Sequence, residues 1–221
     1  GANNCGLKKV RGKYFLILNP DTRLPPKTIA NIYQFMETHQ RVGLAGARQI
    51  NEWGKTLPIC HRFFTPLTHM LLLPLFFRFA KHSSLLNAHE YSDWDRLITR
   101  RVDAIPGSFM FGRCLLIDKV GLLDESLTMF YSDDDYCLRV KQANYEVWYC
   151  AAVTITHLTS KTISRFPLWQ ITLRGYKDLT MYMKKHYGIF WFLIFYILTR
   201  ASILASTTYT CARNTLIKTT R

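Results

Sequence analysis

The stretch "KYFLILNPDT", residues 13–22, decides how the rest of the chain is read. Its short, nearly continuous apolar run is what a strand buried on both faces requires. Pro20 stops it, leaving Asp21 and Thr22 just past its carboxyl end. In open α/β sheets that edge is where ligands bind. Working outward, Pro25 and Pro26 suit the start of a helix, with Ile29, Ile32, Tyr33 and Met36 on one face. "RVGLAGARQI" (41–50) reads as a second buried strand, closed by a turn at Asn51–Gly54. "GSFMFG" (107–112) reads as another strand, "RCLLIDKVG" (113–121) as a short helix ending at Gly121, and "YEVWYCAAVTITH" (145–157) as a strand ending at His157. Strands alternating with helices predict an α/β sheet.

Charge limits the partners. The chain has 29 Lys plus Arg against 15 Asp plus Glu in 221 residues, a formal net charge of +14. Such a balance calls for an acidic partner: nucleic acid, anionic headgroups or a phosphorylated substrate. Apolar residues make up 48 %, enough for a packed core. Six scattered cysteines with no CxxC pair read as reduced thiols of a cytosolic protein rather than a zinc site or disulfide framework.

Against that basic background, "YSDDDYCLRV" (131–140) sets Asp133, Asp134 and Asp135 side by side. Ser132 is a good N-cap for a helix running to about Ala143, and Asp135 three residues later resembles a capping box. Acids in a first turn also complement the helix dipole. Alternatively, mutual repulsion raises one carboxylate into the range of a general base near neutrality. Pattern alone leaves both readings open. Asp21 is also ordinary turn chemistry, and His157 at a strand end is more often structural than a ligand. Together, one carboxylate and one imidazole at strand ends suit Mg²⁺ or Mn²⁺, with substrate phosphates completing the shell.

The tail differs in character. "YGIFWFLIFYILTRASILAS" (187–206) is strongly apolar apart from Arg200, and Lys184, Lys185 and His186 precede it. A spanning helix, an in-plane helix on anionic lipid, and a core or partner-facing helix are the three readings, with membrane contact ahead. The segment 62–80, broken by Pro66 and Pro74, is too interrupted for a simple span.

"LNPDT" (18–22), "VDAIPGSFMFGR" (102–113), "VGLLDESLTMFYSDDDYCLRV" (120–140) and "THLTSKT" (156–162) follow one another in an order and spacing that carries a resemblance. The chain resembles the family 2 inverting glycosyltransferases of GT-A fold, especially the rhamnosyltransferase-like branch, over residues 1–188. The resemblance implies a GT-A-like, Rossmann-like mixed sheet flanked by helices. It divides the chain into a partial catalytic region, 1–165, and a helical, membrane-associating segment, 166–221. It also implies that the strands holding the nucleobase precede Gly1, so that the domain is N-terminally truncated. Asp21 matches the metal- and diphosphate-holding residue, His157 a histidine beside it, and Asp133 the general base. Asp103, Gly107 and Ser108 match the segment lining the donor and acceptor pocket; Asp135 is placed there too, and Arg139 matches an arginine that steadies a phosphate or carboxylate. Ser132 stands where the family usually has Glu, and Leu158 where a second histidine is common.

The function so implied is metal-dependent transfer of a sugar, rhamnose by resemblance, from a nucleotide-sugar donor to a lipid-linked or polysaccharide acceptor. The expected place is the cytoplasmic face of a membrane, with an anionic lipid surface and no nucleic acid among the partners. A non-catalytic, transferase-like membrane- or glycan-binding module is the alternative. A metal-dependent phosphohydrolase or nuclease ranks below both, because adjacent acids at a helix start point in different directions.

Overall fold

The computed structural model describes residues 1–80, 82–158 and 166–219, and the side chains among them other than those of residues 74, 75, 78 and 205–219. Its centre is a mixed sheet of six strands: β1 (Tyr14–Leu18), β2 (Thr22–Arg23), β3 (Val42–Ile50), β4 (Arg100–Arg101), β5 (Phe109–Arg113) and β6 (Glu146–His157). The order is β1-β5-β3-β6-β2, with β4 also on β6. The β3–β6 pairing is parallel and the others antiparallel. This is the mixed α/β sheet flanked by helices that the sequence predicts.

Alternation along β5 separates two cores, as a period of two demands. Phe109 and Phe111 face one side, where α2 (Thr28–Thr38) lays Ile32 and Met36 on Ala45, Ala47 and Ile155. Met110 faces the other, where α6 (Leu115–Val120) and α7 (Ser132–Gln142) bring Leu116, Tyr136, Cys137 and Val140 onto Leu44, Val147 and Tyr149. Gly112 is where β1 and β3 side chains crowd β5. A Cβ there would lie 2.3 Å from Phe15 Cζ and 2.8 Å from Leu44 Cδ2, so only glycine fits.

Two expectations need correction. β1 is an edge strand buried unequally on its two faces: Phe15 and Ile17 are buried in one core, Tyr14 and Leu16 pack only partly against the other, and Leu18 is exposed. The apolar face expected of α2 is also only half used. Ile32 and Met36 are fully buried, whereas Ile29 and Tyr33 remain largely exposed. The Tyr33 ring instead meets Tyr14 of β1 edge-on, at 5.6 Å between centroids.

Prolines place the next helices. α1 (Ala2–Leu7) precedes the sheet; α3 (Pro66–Leu72) and α4 (Pro74–Ala80) each begin at the proline that interrupts 62–80, and α5 (Ser84–His89) follows. Proline suits a first turn because its missing N–H would have no helical partner there. α8 (Leu168–Tyr187) and α9 (Ile189–Thr219) form a helical hairpin that turns at Gly188, φ +90°. A third core of Leu179, Tyr182, Met183 and Phe195 joins them, and Leu73 and Leu127 anchor the hairpin to the rest. Asp178 of α8, fully buried, accepts hydrogen bonds from the Met129 and Phe130 N–H groups at 2.7 and 3.0 Å. That fixes the loop leading into α7.

Candidate functional site

Strand pairing, more than local sequence, builds the first half of the site. In the β2–β6 ladder Thr22 stands opposite His157, and the Leu158 N–H donates to the Asp21 carbonyl. The Asp21 side chain thereby meets His157, with Oδ1 3.3 Å from Nε2. On the other side of the ring, Nδ1 lies 2.9 Å from Gln49 Oε1, and Gln49 Nε2 donates to Ser108 Oγ at 2.6 Å. With Gln49 Oε1 accepting from Nδ1, the ring is held so that Nε2 points toward Asp21. Asp21 Oδ1 is buried and, among the described residues, accepts no hydrogen bond. A carboxylate oxygen and an imidazole nitrogen 3.3 Å apart form an ion pair when the ring carries both protons, and are placed to share a metal cation when Nε2 is bare.

The second half is the start of α7, where the three aspartates separate. The expected Ser132 cap does not form. Tyr131 holds the N-cap position with φ +63°, and no side chain caps the helix. The left-handed turn is held by packing, since the Tyr131 ring lies edge-on to Phe64 and His69 and against Tyr182. Asp133 turns to the cavity, its Oδ2 accepting from the Gly107 N–H at 3.0 Å and its Oδ1 from the Asp134 N–H at 3.2 Å. Asp134 turns inward to a dry pocket, and Asp135 to a set of cations.

The carboxyl that rises is Asp134, and burial more than repulsion raises it, to about 7. His61 opposes the rise from 3.5 Å and Asp133 adds to it. Around this pocket the rings of His61, Phe64, His69 and His89 stack on one another. Burial pushes His69 down to about 3 and His89 to about 4, so both stay neutral near pH 7. For Asp135 burial acts upward, but His186, Lys185 and Arg139 outweigh it and hold the carboxyl below its ordinary value. Their nitrogens lie 2.9, 2.7 and 2.8 Å from its oxygens.

The raised Asp134 has a consequence for stability. Unfolded, it titrates near its ordinary 3.8, and folded near 7. Folding therefore takes up a proton between those values, and stability declines across that window as pH rises. Asp134→Asn is expected to flatten this slope and raise stability at pH 8 by about 2–4 kcal/mol. Denaturant midpoints of both chains from pH 4 to 8 check it; a variant less stable at pH 8 would contradict the burial argument.

A cavity of about 580 Å³ brings Asp133, Gly107, Ser108, Asn19 and His157 to one space, with Leu123–Glu125 and Leu127–Met129 on another wall. Asp21 stands behind His157. Of the residues the sequence points to, the others lie away from the cavity lining. Asp103 accepts from Lys141 Nζ and from the Phe63 N–H. Arg139 spends its fork within the protein, on Asp135 and on the Val120 and Leu122 carbonyls. The carboxylate it steadies is thus Asp135. At Gly107 an added Cβ would meet Asp133 only at ordinary van der Waals distance, so what this residue contributes to the site is its N–H. Of "THLTSKT", residues 159–162 lie outside the described residues.

Sequence reasoning missed Gln49, His61, Lys185 and His186. Gln49 and Arg48 are the two polar residues of an otherwise apolar strand, and that oddity is the signal that could have found Gln49. Lys185 and His186 read as flanks of an apolar tail, but both turn inward to Asp135, and Lys185 also binds Asp124 at 2.6 Å. Among the described residues no group of three or more His, Cys, Asp or Glu is placed to hold a metal. Asp21 and His157 could supply at most two protein ligands to a metal there.

The family model described as "Glycosyl transferase family 2" matches residues 1–105, just under half of the chain. The matched part contains Asp21, Gln49, His61 and Asp103; Gly107, Asp133 and His157 follow it. No curated protein matches the chain.

Proposed function

We propose that this chain is a family 2 glycosyltransferase that moves a sugar, with inversion, from a nucleotide-sugar donor to a hydroxyl of a lipid-linked or polysaccharide acceptor. The family match supports sugar transfer from a nucleotide donor. The observation that carries the mechanism is that one cavity holds the Asp133 carboxylate and the His157 end of the Asp21–His157 pair. Rhamnose is the donor sugar to test first, by resemblance.

Asp133 is the base in this reading. Two backbone N–H groups orient its carboxylate, each occupying one oxygen and leaving further lone pairs free toward the cavity. An acceptor hydroxyl placed there would give its proton to Asp133 as its oxygen forms the bond to the anomeric carbon. The bond from that carbon to the diphosphate oxygen breaks, and the nucleoside diphosphate leaves with the electron pair. Asp21 and His157 would hold Mg²⁺ or Mn²⁺, which when bound offsets the negative charge on the departing diphosphate. Gln49 keeps His157 Nε2 turned to that position.

A thermal-shift panel tests the reading, with dTDP-, UDP- and GDP-sugars, each with and without Mn²⁺, on the chain and on Asp21→Ala. A donor at about 100 times its Kd stabilises the folded state by about 2.7 kcal/mol. The expected result is a metal-dependent shift with one nucleotide, lost in Asp21→Ala. No shift from any donor on a well-folded chain would sink the transferase reading and leave the non-catalytic module in its place.

A further inference from the structure

Over residues 189–204 α9 is apolar nearly all the way round, and the protein covers only one side of it. Phe195 and Thr199 are buried, and Trp191 and Leu198 pack on the same core with α8. The other side carries Ile189, Phe190, Leu193, Tyr196, Ile197 and Leu204. Tyr196 is 44 % exposed and Ile197 66 %. At about 100° per residue these six positions fall in one stripe down the helix. Single exposed apolar side chains need no explanation, but a contiguous stripe marks a surface that something covers. A helix apolar on every side belongs in a core or in lipid.

Charge selects the covering partner. Residues 166–221 contain eight Lys and Arg and one acid, Asp178. That acid is fully buried and bound to backbone N–H groups, so it offers no anion to the surface. Lys185 is spent on Asp124 and Asp135. Lys177 and Arg200 line the groove between α8 and α9; Arg200 falls within the stripe, near its Tyr196 edge, and lies over the Tyr196 ring. Lys184 lies over Phe192 at the start of the hairpin. An apolar face edged by cations, with no exposed anion on either helix among the described side chains, is complementary to anionic headgroups above acyl chains. A second copy of this chain would bring one +14 molecule against another.

We infer that the exposed face of α9 lies in the plane of an anionic lipid bilayer, with Leu193 and Ile197 among the acyl chains and Lys177, Lys184 and Arg200 at the phosphates. The opposite side of the helix stays on the protein, which makes the attachment peripheral. Among the described residues no helix is long and apolar enough to cross a membrane. The inference needs neither a donor nor Asp133, so it stands or falls separately from the transferase reading.

Sedimentation of the full chain with vesicles tests it, using phosphatidylcholine alone and phosphatidylcholine with one third phosphatidylglycerol. Each cation at an anionic surface strengthens binding roughly fivefold, so the mixed vesicles should pellet the chain well over fivefold better, and raised salt should release it. Leu193→Glu with Ile197→Glu should weaken binding more than about tenfold with an unchanged melting temperature. Arg200→Glu, which keeps all six apolar side chains and reverses one charge, should weaken it as well. Two results would overturn the inference. One is equal or absent binding to the two vesicle types. The other is a concentration-dependent dimer, or an acidic protein partner, that the double variant releases while vesicle binding persists.

Discussion

Asp133→Asn is expected to lower sugar transfer by about 10²–10⁴-fold while leaving the fold and donor binding in place. The amide keeps one oxygen to accept from the Gly107 N–H and gives up only the longer bond from the Asp134 N–H, so the turn before β5 stays tied to α7. What the amide loses is the ability to take a proton from an acceptor hydroxyl. The loss should appear in kcat and in kcat/KM together, because the interaction removed exists only as the proton moves. Measured side by side, the donor-induced thermal shift of Asp133→Asn should equal that of the unchanged chain. A variant with full turnover would remove Asp133 from the base role. A variant that unfolds would instead point to a structural one.

Much of this arrangement was legible before any coordinates. Apolar runs bounded by Pro and Gly located β1, β3, β5 and β6, because a short strand in a packed sheet leaves few other ways to write it. Asp21 stood out because it follows directly on such a strand. The capping reading of Ser132 failed for a tertiary reason: Tyr131 takes the left-handed turn because Phe64, His69 and Tyr182 enclose its ring. No local pattern predicts that. The Asp135 cations were hidden by distance in the sequence, since Lys185 and His186 lie some fifty residues further on and reach it only when α8 packs beside α7. The same packing hid His61, which belongs to a loop whose pattern says nothing about facing Asp134.

The run of three aspartates is therefore three solutions to one local constraint. Successive side chains at a helix start turn by about 100°, so neighbours in sequence enter different surroundings. Asp133 reaches solvent-filled space, Asp134 a dry aromatic pocket, and Asp135 the junction of α7 with α8. The functional and structural readings of the run do not compete, because each applies to a different carboxylate. Opposite pH responses follow for the two buried ones: Asp134 stabilises the fold when protonated, and Asp135 when ionised.

Asp135→Ala is expected to cost about 3–5 kcal/mol, the largest stability effect of any substitution considered for this chain. Asp135 has no exposed surface, and Arg139, Lys185 and His186 all converge on it. Removing the carboxylate leaves those three groups crowded, and among the described residues the remaining ion pair they keep is that of Lys185 with Asp124. Breaking a buried charge cluster by deleting one partner costs more than the cluster contributes on balance, because the remaining charges stay desolvated. The sign of the pH dependence is set by the depressed carboxyl. The Asp135 contribution is fully present above its ordinary value of 3.8 and is lost as pH falls through its lower folded value. Asp135→Ala should therefore be most harmful near neutrality and converge on the unchanged chain in acid, the reverse of the Asp134→Asn trend. Urea midpoints at pH 7 and pH 3 measure both. A deficit that persists undiminished at pH 3 would assign the loss to packing and not to charge. A deficit confined to pH 7 would identify the α7–α8 junction as an ion cluster held by charge.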